Sequence, residues 1–564
     1  MRGGRVNTTA ATVLERLEHL KGTFGPDAAR DKLDALRALE RGPLRTAGQV
    51  RRLHEILCWI HAYPDDEAVL AQVRLMLEHF ARRADLRRHR AALADTGIAG
   101  TAIQYVFFWF TAQWLARCWP DRIAIDWPAF DSRRDLLPLL HLMLPYSETT
   151  ALDEVSLSAR QWIARLKGPG ETDAAFLVRR FEALHPSPFG RETLYENLGV
   201  PLVLAPGTGT PARTTARYPV CAPVFQTRPI DRSRPSLGRE IRRAPLAVRP
   251  VSPDDADRLI DLAREAMVTR ARDLDNFIHA DRHDVRVFEF GNGLQFACFG
   301  MIPERRLVLE SVYGMLTLRN GVPIGYVLAS GLFGSSEVMY NVFDTYRGGE
   351  ASRIYGSVLS IVAHLFGADT FAIDPFQLGH DNHEGQQSGA FWFYYKLGFR
   401  PRDRHVRELV RRELERLSRR PGERSGAAML QKLSAAYVFL HTAKPRRDVL
   451  GLVSLGNVGL HVSRYLAAHA GAERERGMRA SVREAARLLG VRSMDTWTPA
   501  ERLAWERWSP LVLCLPGMER WSPADRRAMV AVVRAKGGRR ESDFVNLFDG
   551  HRRLRSAILE LARR

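Results

Sequence analysis

The feature that most restricts the fold is a run of strand-like segments in the middle of the chain, joined by one diagnostic turn. Two segments rich in β-branched, aromatic and other apolar residues, 312–319 and 322–328, flank the dipeptide Asn320-Gly321. Asn-Gly between two such segments is the strongest short-range signal of a two-residue hairpin turn, because both residues tolerate positive φ. The sequence therefore predicts antiparallel strands here, and with them a central sheet.

Further segments of the same character surround this hairpin, at residues 246–251, 288–299, 337–343 and 370–374. The first leads into a helix at 256–267, whose start is marked by Ser252 as N-cap and by Pro253 in the first turn. The third leads through a glycine-rich turn, Tyr346 to Ser352, into an apolar helix. Such a turn presents backbone N–H groups and the positive end of a helix dipole, which suits a phosphate group.

On both sides of this region the apolar residues recur three and four positions apart, which is typical of amphipathic helices. The sequence predicts an all-α N-terminal domain at 1–200, a Pro- and Arg-rich connector at 201–245, an α/β domain at 246–401 and an all-α C-terminal domain at 402–564. The uncharged, aromatic stretch 96–116 is interpreted as a buried helix, because Gln, Thr and Gly residues dilute its hydrophobicity below that of a membrane span.

The charge balance favours exposed helix faces over a nucleic-acid surface. The net charge is +19, and all but seven of the 83 basic residues are Arg, scattered among Asp and Glu. A basic nucleic-acid binder is the less favoured alternative, since no recognised binding motif accompanies the charge. The five cysteines form no CxxC pair, and the N-terminus lacks the apolar core of a secretory signal. We therefore expect a cytoplasmic, multidomain protein without a metal site.

One motif and the order of the elements resemble the GNAT superfamily of acyl-CoA N-acyltransferases. Residues 390–399 read Ala-Phe-Trp-Phe-Tyr-Tyr-Lys-Leu-Gly-Phe and match the family's A-x-x-[LF]-Y-x-K-L-G-F at every position. The strand and helix at 246–267, the Asn320-Gly321 hairpin and the loop 346–352 also occupy positions similar to those of the family. The resemblance covers residues 246–401 and implies an α+β fold with a mixed sheet and flanking helices.

The resemblance also implies a reaction, in which an acyl group passes from acetyl-CoA or another acyl-CoA to an amine on a small molecule or a protein. Tyr394 falls on the tyrosine that protonates the coenzyme A sulfur, and Glu337 is the candidate base for the ammonium proton. The implied cofactor-binding residues are Val342, Phe343, Arg347, Gly348, Gly349, Glu350, Ala351, Ser352 and Gln387.

The phosphate loop leaves two alternatives open. The family's loop reads [QR]-x-x-G-x-[GA], so either Tyr346 occupies the first position or Arg347 does, in a loop one residue shorter. Glu350 adds a negative charge where a pyrophosphate would lie. The alternative function is accordingly a catalytically inactive, GNAT-like binding or regulatory module in a helical scaffold. The polar cluster His380, Asp381, His383 and Glu384 is interpreted as the loop before a helix, with metal binding the less favoured alternative.

Overall fold

In the computed structural model of the protein, residues 9–130, 136–184, 188–220, 222–348 and 350–563 are described. They form two compact units. The first contains the described residues through Pro229 together with Arg258–Ile278 and Arg319–Pro323, and the second contains Ile230–Asp257, His279–Leu318 and the chain from Ile324 onward. In these residues, no helix is both long enough and apolar enough to cross a membrane.

The first unit is built mainly of helices, and several of them begin at good capping residues. Thr46 and Ser158, for example, each form a capping box with a glutamine three positions later. The helices of the N-terminal region are α1 Ala10–Leu20, α2 Pro26–Arg41, α3 Ala47–Ala62, α4 Glu67–Glu78, α5 Ala84–Arg88, α6 Trp109–Cys118, α7 Leu137–Met143, α8 Thr149–Glu154, α9 Ala159–Leu166, α10 Asp173–Ala183 and α11 Pro188–Leu198. Their apolar faces form the core, as the amphipathic pattern predicts.

Two predictions for this region need correction. The N-terminal region is not purely α, because β1 Ile103–Tyr105, β2 Ile123–Ile125 and β3 Leu202–Leu204 form a small antiparallel sheet in the order β1-β3-β2. The stretch 96–116 is not one helix either. Gly97 and Gly100 have φ values of 67° and 89°, which a helix does not accommodate, so the chain first forms β1 and becomes helical only at Trp109.

The second unit is organised around a mixed sheet, as the prediction of a central α/β region requires. Within the described residues the sheet has nine strands in the order β11-β12-β10-β9-β8-β7-β6-β5-β4. The strands are β4 Ala247–Pro250, β5 Ala280–Gly291, β6 Leu294–Met301, β7 Ser311–Arg319, β8 Val322–Leu332, β9 Ser335–Val342, β10 Thr370–Ile373, β11 Arg400–Pro401 and β12 Val438–His441.

The hairpin prediction is confirmed. Asn320 and Gly321 join β7 to β8 with φ values of 48° and 78°, the left-handed pair that a two-residue hairpin turn of this type requires. The strand prediction at 288–299 is also confirmed, since β5 and β6 pair antiparallel through the turn at Asn292-Gly293. Local turn chemistry thus accounts for the pairing of β5 with β6 and of β7 with β8.

The remaining helices complete the chain, and the first of them lies within the predicted connector. They are α12 Leu237–Arg242, α13 Pro253–Val268, α14 Asp275–Ile278, α15 Ala351–Phe366, α16 Pro375–Leu378, α17 His383–Ser388, α18 Ala390–Leu397, α19 Arg404–Arg419, α20 Ala427–Leu433, α21 Leu455–Ala470, α22 Arg474–Leu489, α23 Pro499–Cys514, α24 Pro523–Lys536, α25 Glu541–Gly550 and α26 Arg552–Arg563. The all-α prediction for 402–564 is corrected at one place. β12 lies inside that range and pairs antiparallel with β10 and β11, because its alternating aromatic residues suit a sheet.

A buried ionic network connects the sheet to the C-terminal helices of the same unit. Lys536 Nζ lies 2.6 Å from Glu541 Oε1, and both side chains are almost fully buried. On the sheet side, the hydroxyl of Tyr313 donates to Asp284, and the backbone N–H of Glu541 donates to Asp284 Oδ2 at 3.2 Å. These charges have no access to water, so their stability depends on mutual pairing.

Candidate functional site

The candidate site lies where β9 and β10 separate. The two strands pair in parallel only from Ser335–Thr370 to Glu337–Ala372. Beyond that pair β9 continues to Val342, whereas β10 ends at Ile373 and the chain enters α16. This side of β9 is therefore without a partner strand from residue 338 onward, within the described residues. A gap of this kind at the carboxyl end of parallel strands is a common place for a ligand in α/β proteins.

Two side chains satisfy the unpaired edge at Tyr340. The amide Nε2 of Gln377 donates to the Tyr340 carbonyl at 3.0 Å and to the Tyr394 hydroxyl at 3.3 Å. The Tyr340 backbone also hydrogen-bonds the Tyr394 hydroxyl. The Tyr394 hydroxyl thus reaches the strand edge from α18 and occupies the position of a missing neighbouring strand.

The ring of Tyr394 belongs to an aromatic core on one face of the sheet. It is 2% exposed and packs edge-on against Tyr355 of α15 and against Phe399. Burial raises the pKa of the Tyr394 hydroxyl well above 10, and the two hydrogen bonds oppose this effect. The hydroxyl of Tyr355, in the same cluster, is buried and has no hydrogen-bond partner among the described residues.

Glu337 lies on β9 at the last pair before the strands separate. Strand alternation places it on the face opposite Tyr340, with Met339 and Asn341. Tyr437, the residue before β12, donates a hydrogen bond to Glu337 Oε2 at 3.3 Å. Burial raises the pKa of Glu337 from its ordinary 4.5 to about 7, and the carboxylates of Asp374 and Glu310 add to the rise. Near neutral pH this carboxyl can therefore both accept and release a proton.

We expect Glu337→Gln to make the protein more stable at high pH. Because the pKa of Glu337 is raised to about 7, the folded chain holds a proton that the unfolded chain has already released. The free energy of unfolding therefore falls as the pH rises through the window between those two pKa values, and it levels off above the higher one. The amide does not titrate, so its advantage over wild type should grow by ~1–2 kcal/mol between about pH 5 and pH 8.

Urea unfolding at several pH values measures this difference. Glu304→Gln, a change of the same kind at an exposed position of the same unit, serves as the control and should follow wild type at every pH. A constant difference between Glu337→Gln and wild type would contradict the raised pKa.

Three of the predicted cofactor-binding residues form hydrogen bonds or ion pairs with other groups of the protein. The N–H of Phe343 donates to the Ile324 carbonyl at 3.0 Å. The guanidinium of Arg347 donates to the Val342 carbonyl at 3.3 Å, and it forms ion pairs with Asp344 at 2.8 Å and with Glu384 at 2.5 Å. The charge of Arg347 is thus already compensated by carboxylates.

The rest of the predicted phosphate loop leads into α15. Gly348 has a φ of 82° and open space around the position of a Cβ atom. Glu350 is the N-cap residue, and its side chain makes no capping hydrogen bond to the first turn of α15. Gly349 lies outside the described residues. The first turn of α15 therefore has the features of an anion site, except for the carboxylate of Glu350 beside it.

The remaining predicted positions lie on α17 and in the loop before it. Gln387 is exposed on α17, and its neighbour Gln386 instead makes the local bonds, to the Gly379 carbonyl and to Gln431. His380 Nδ1 is 3.1 Å from the Gln431 carbonyl, so this side chain joins the loop before α17 to α20. In the described part of the chain, no group of three or more His, Cys, Asp or Glu side chains is arranged to hold a metal ion.

Three residues of the site were not predicted from the sequence. Gln377 and Asp374 lie just after β10, in a segment whose pattern predicts only the end of a strand. Tyr437 lies in the region predicted to be helical. The alternation of Tyr437, Phe439 and an intervening apolar residue was a signal for a strand there, but it is only four residues long.

No protein-family model, curated protein or solved structure matches this chain. The arrangement around β9 and β10 is therefore interpreted from its own geometry.

Proposed function

We propose that the protein is an N-acyltransferase that moves an acetyl or other acyl group from an acyl-CoA to an amine, through a GNAT-like domain. The observation that supports this most strongly is the separation of β9 from β10. It leaves the edge of β9 open at Tyr340, where the Tyr394 hydroxyl lies. Glu337, a carboxyl of raised pKa, precedes Tyr340 by three residues on the same strand. Coenzyme A carries amide groups in its pantetheine arm, and such groups suit a strand edge that no neighbouring strand covers.

Glu337 is the proposed base. An amine that is protonated in solution must lose a proton before its nitrogen can attack the thioester carbonyl. A carboxyl with a pKa of about 7 is ionised in a large fraction of molecules at neutral pH and still binds a proton well. The negative charge of Asp374, close to Glu337, would also hold a cationic amine on this face of the sheet.

Tyr394 is the proposed acid. When the tetrahedral intermediate collapses, the C–S bond breaks and the thiolate takes a proton from the phenol. The raised pKa of Tyr394 keeps this proton in place before the reaction. The Gln377 amide and the Tyr340 backbone then stabilise the phenolate that remains, because both hydrogen-bond the same oxygen.

The face of β9 that carries Glu337 is the proposed acceptor face. Asn341 lies on the same face of β9, four residues after Glu337. Its Oδ1 is buried without a hydrogen-bond partner among the described residues. An amide oxygen in this state can accept a hydrogen bond from an amine N–H. Cofactor and acceptor would then approach the gap from opposite faces of the sheet, with the reacting atoms between Glu337 and Tyr394.

Calorimetric titration of acetyl-CoA and of free coenzyme A into the full chain tests the proposal. We expect both to bind, and Ala351→Glu to weaken binding at least about tenfold, because a second carboxylate at the N-terminus of α15 repels the pyrophosphate. Ala351→Gln is the matched control: it adds the same bulk without the charge and should bind more tightly than the glutamate variant.

The outcome also decides between the two candidate functions. Absence of heat with either ligand would contradict the acyltransferase proposal and would favour the noncatalytic module. Two observations support that second candidate: the carboxylate of Glu350 at the helix start and the pairing of Arg347 with two acids.

A further inference from the structure

A basic groove of about 510 Å³ lies beside β11, at the edge of the sheet. It is lined by Pro401, Arg402, Arg407, Arg447 and Leu452. The three arginines come from three segments: the residue after β11, the first part of α19 and the loop after β12. The volume lies within the ~300–1,000 Å³ that is usual for small-molecule sites. Folding therefore brings three guanidinium groups together around one recess.

The guanidinium of Arg402 is held in a defined orientation. It donates to the Arg446 carbonyl at 2.7 Å and to His441 Nε2 at 2.9 Å, and it lies 5.2 Å from the centre of the Phe439 ring. Because arginine can only donate, His441 accepts at Nε2 and is neutral, and its Nδ1 lies 3.1 Å from Thr370 Oγ1. Burial lowers the pKa of Arg402, and repulsion by Arg447 and Arg446 lowers it further.

The protein does not neutralise the other two arginines. Arg407 and Arg447 are exposed, and neither forms an ion pair within the described residues. The carboxylates of the neighbouring elements have other partners. Asp403 caps α19 through the Val406 N–H, Glu408 pairs with Arg411 and Arg412, and Asp448 pairs with Arg446 and Arg555. The groove therefore keeps a concentrated positive charge.

We propose that this groove binds the phosphate group of a small molecule, with Arg402, Arg407 and Arg447 as its donors. Planar guanidinium groups bind phosphate oxygens in pairs, and three of them around a recess suit a doubly charged group. One arginine of fixed orientation in a recess lined by five residues favours a discrete phosphate over the extended track that a nucleic-acid backbone needs. The inference does not rest on the acyltransferase proposal, since none of the residues that line the groove is among those proposed to bind acyl-CoA or to transfer the acyl group.

Calorimetric titration of inorganic pyrophosphate into the full chain tests this site. We expect measurable binding to wild type, and a loss of at least about tenfold in affinity in the double variant Arg407→Gln/Arg447→Gln. Both side chains are exposed, so the variant should fold, and circular dichroism checks this. Arg419→Gln, at the far end of α19, is the control for loss of charge alone and should change affinity less than about twofold.

A parallel titration with a single-stranded RNA of about 12 nucleotides distinguishes the two sources of phosphate. The proposal would be overturned in favour of a nucleic-acid surface if RNA bound more tightly than pyrophosphate and if Arg419→Gln weakened RNA binding as much as Arg407→Gln alone. Absence of pyrophosphate binding would overturn it as well. Loss of pyrophosphate binding in the double variant alone would support it.

Discussion

Tyr394→Phe is expected to lower kcat for acyl transfer about 10²- to 10³-fold while the Kd for coenzyme A changes by less than about twofold. The change removes only the hydroxyl that is proposed to protonate the departing sulfur. The ring continues to fill the aromatic cluster around Tyr355, so the fold should persist. Steady-state kinetics with an amine acceptor, combined with calorimetric titration of coenzyme A, separates these two effects.

Tyr395→Phe is the matched control, because the same atom is removed from the next residue of α18. The ring of Tyr395 faces the other way. It lies under the guanidinium of Arg400, whose central carbon is 4.0 Å from the centre of the ring. It should retain wild-type kcat. Equal rates for Tyr394→Phe and wild type would remove Tyr394 from the role of acid, even if acyl transfer itself were observed.

Lys536→Met is expected to lower the free energy of unfolding by about 3–5 kcal/mol. The substitution leaves the Glu541 carboxylate buried with its ion-pair partner gone, and it also removes the bond from Lys536 Nζ to the Glu310 carbonyl at 2.7 Å. Burial already raises the pKa of Glu541, so the isolated charge is costly. Urea unfolding of wild type and variant at neutral pH measures the loss.

The double variant Lys536→Met/Glu541→Leu provides the decisive comparison, because it removes both charges and should recover much of the lost stability. Arg487→Gln breaks an exposed pair with Glu484 and should change the free energy of unfolding by less than about 1 kcal/mol. A loss for Lys536→Met as small as that for Arg487→Gln would show that water reaches the buried pair.

The parts of the fold that could be predicted are those that local chemistry determines. The Asn320-Gly321 turn specifies its hairpin through two residues that accept positive φ. The strand at 337–343 and the apolar helix after the glycine-rich turn were also predicted. Each has a continuous pattern long enough to distinguish the two-residue period of a strand from the 3.6-residue period of a helix. Short strands such as β1 and β12 offer three or four residues, which is too few for a period to be evident.

For a related reason, only part of the candidate site could be predicted from the sequence. Glu337 and Tyr394 were named through the resemblance, and their roles stay predictions. Tyr437 approaches Glu337 across 100 positions of sequence, and nothing local indicates such a pairing. The buried charges were missed as well. Charged residues were interpreted as exposed helix faces, whereas Lys536 and Glu541 are in the core, where each makes the burial of the other possible.

The late position of β12 in the chain has a consequence for folding. Residues 246–401 would be the natural piece to excise, yet that fragment ends before the strand that lies between β10 and β11. Without β12, one edge of β10 would be open to pairing with another chain, and β11 would have no neighbour. The second edge of β10 is therefore covered only after the ribosome has made residue 441, so a chain that ends at residue 401 is expected to aggregate rather than to fold independently.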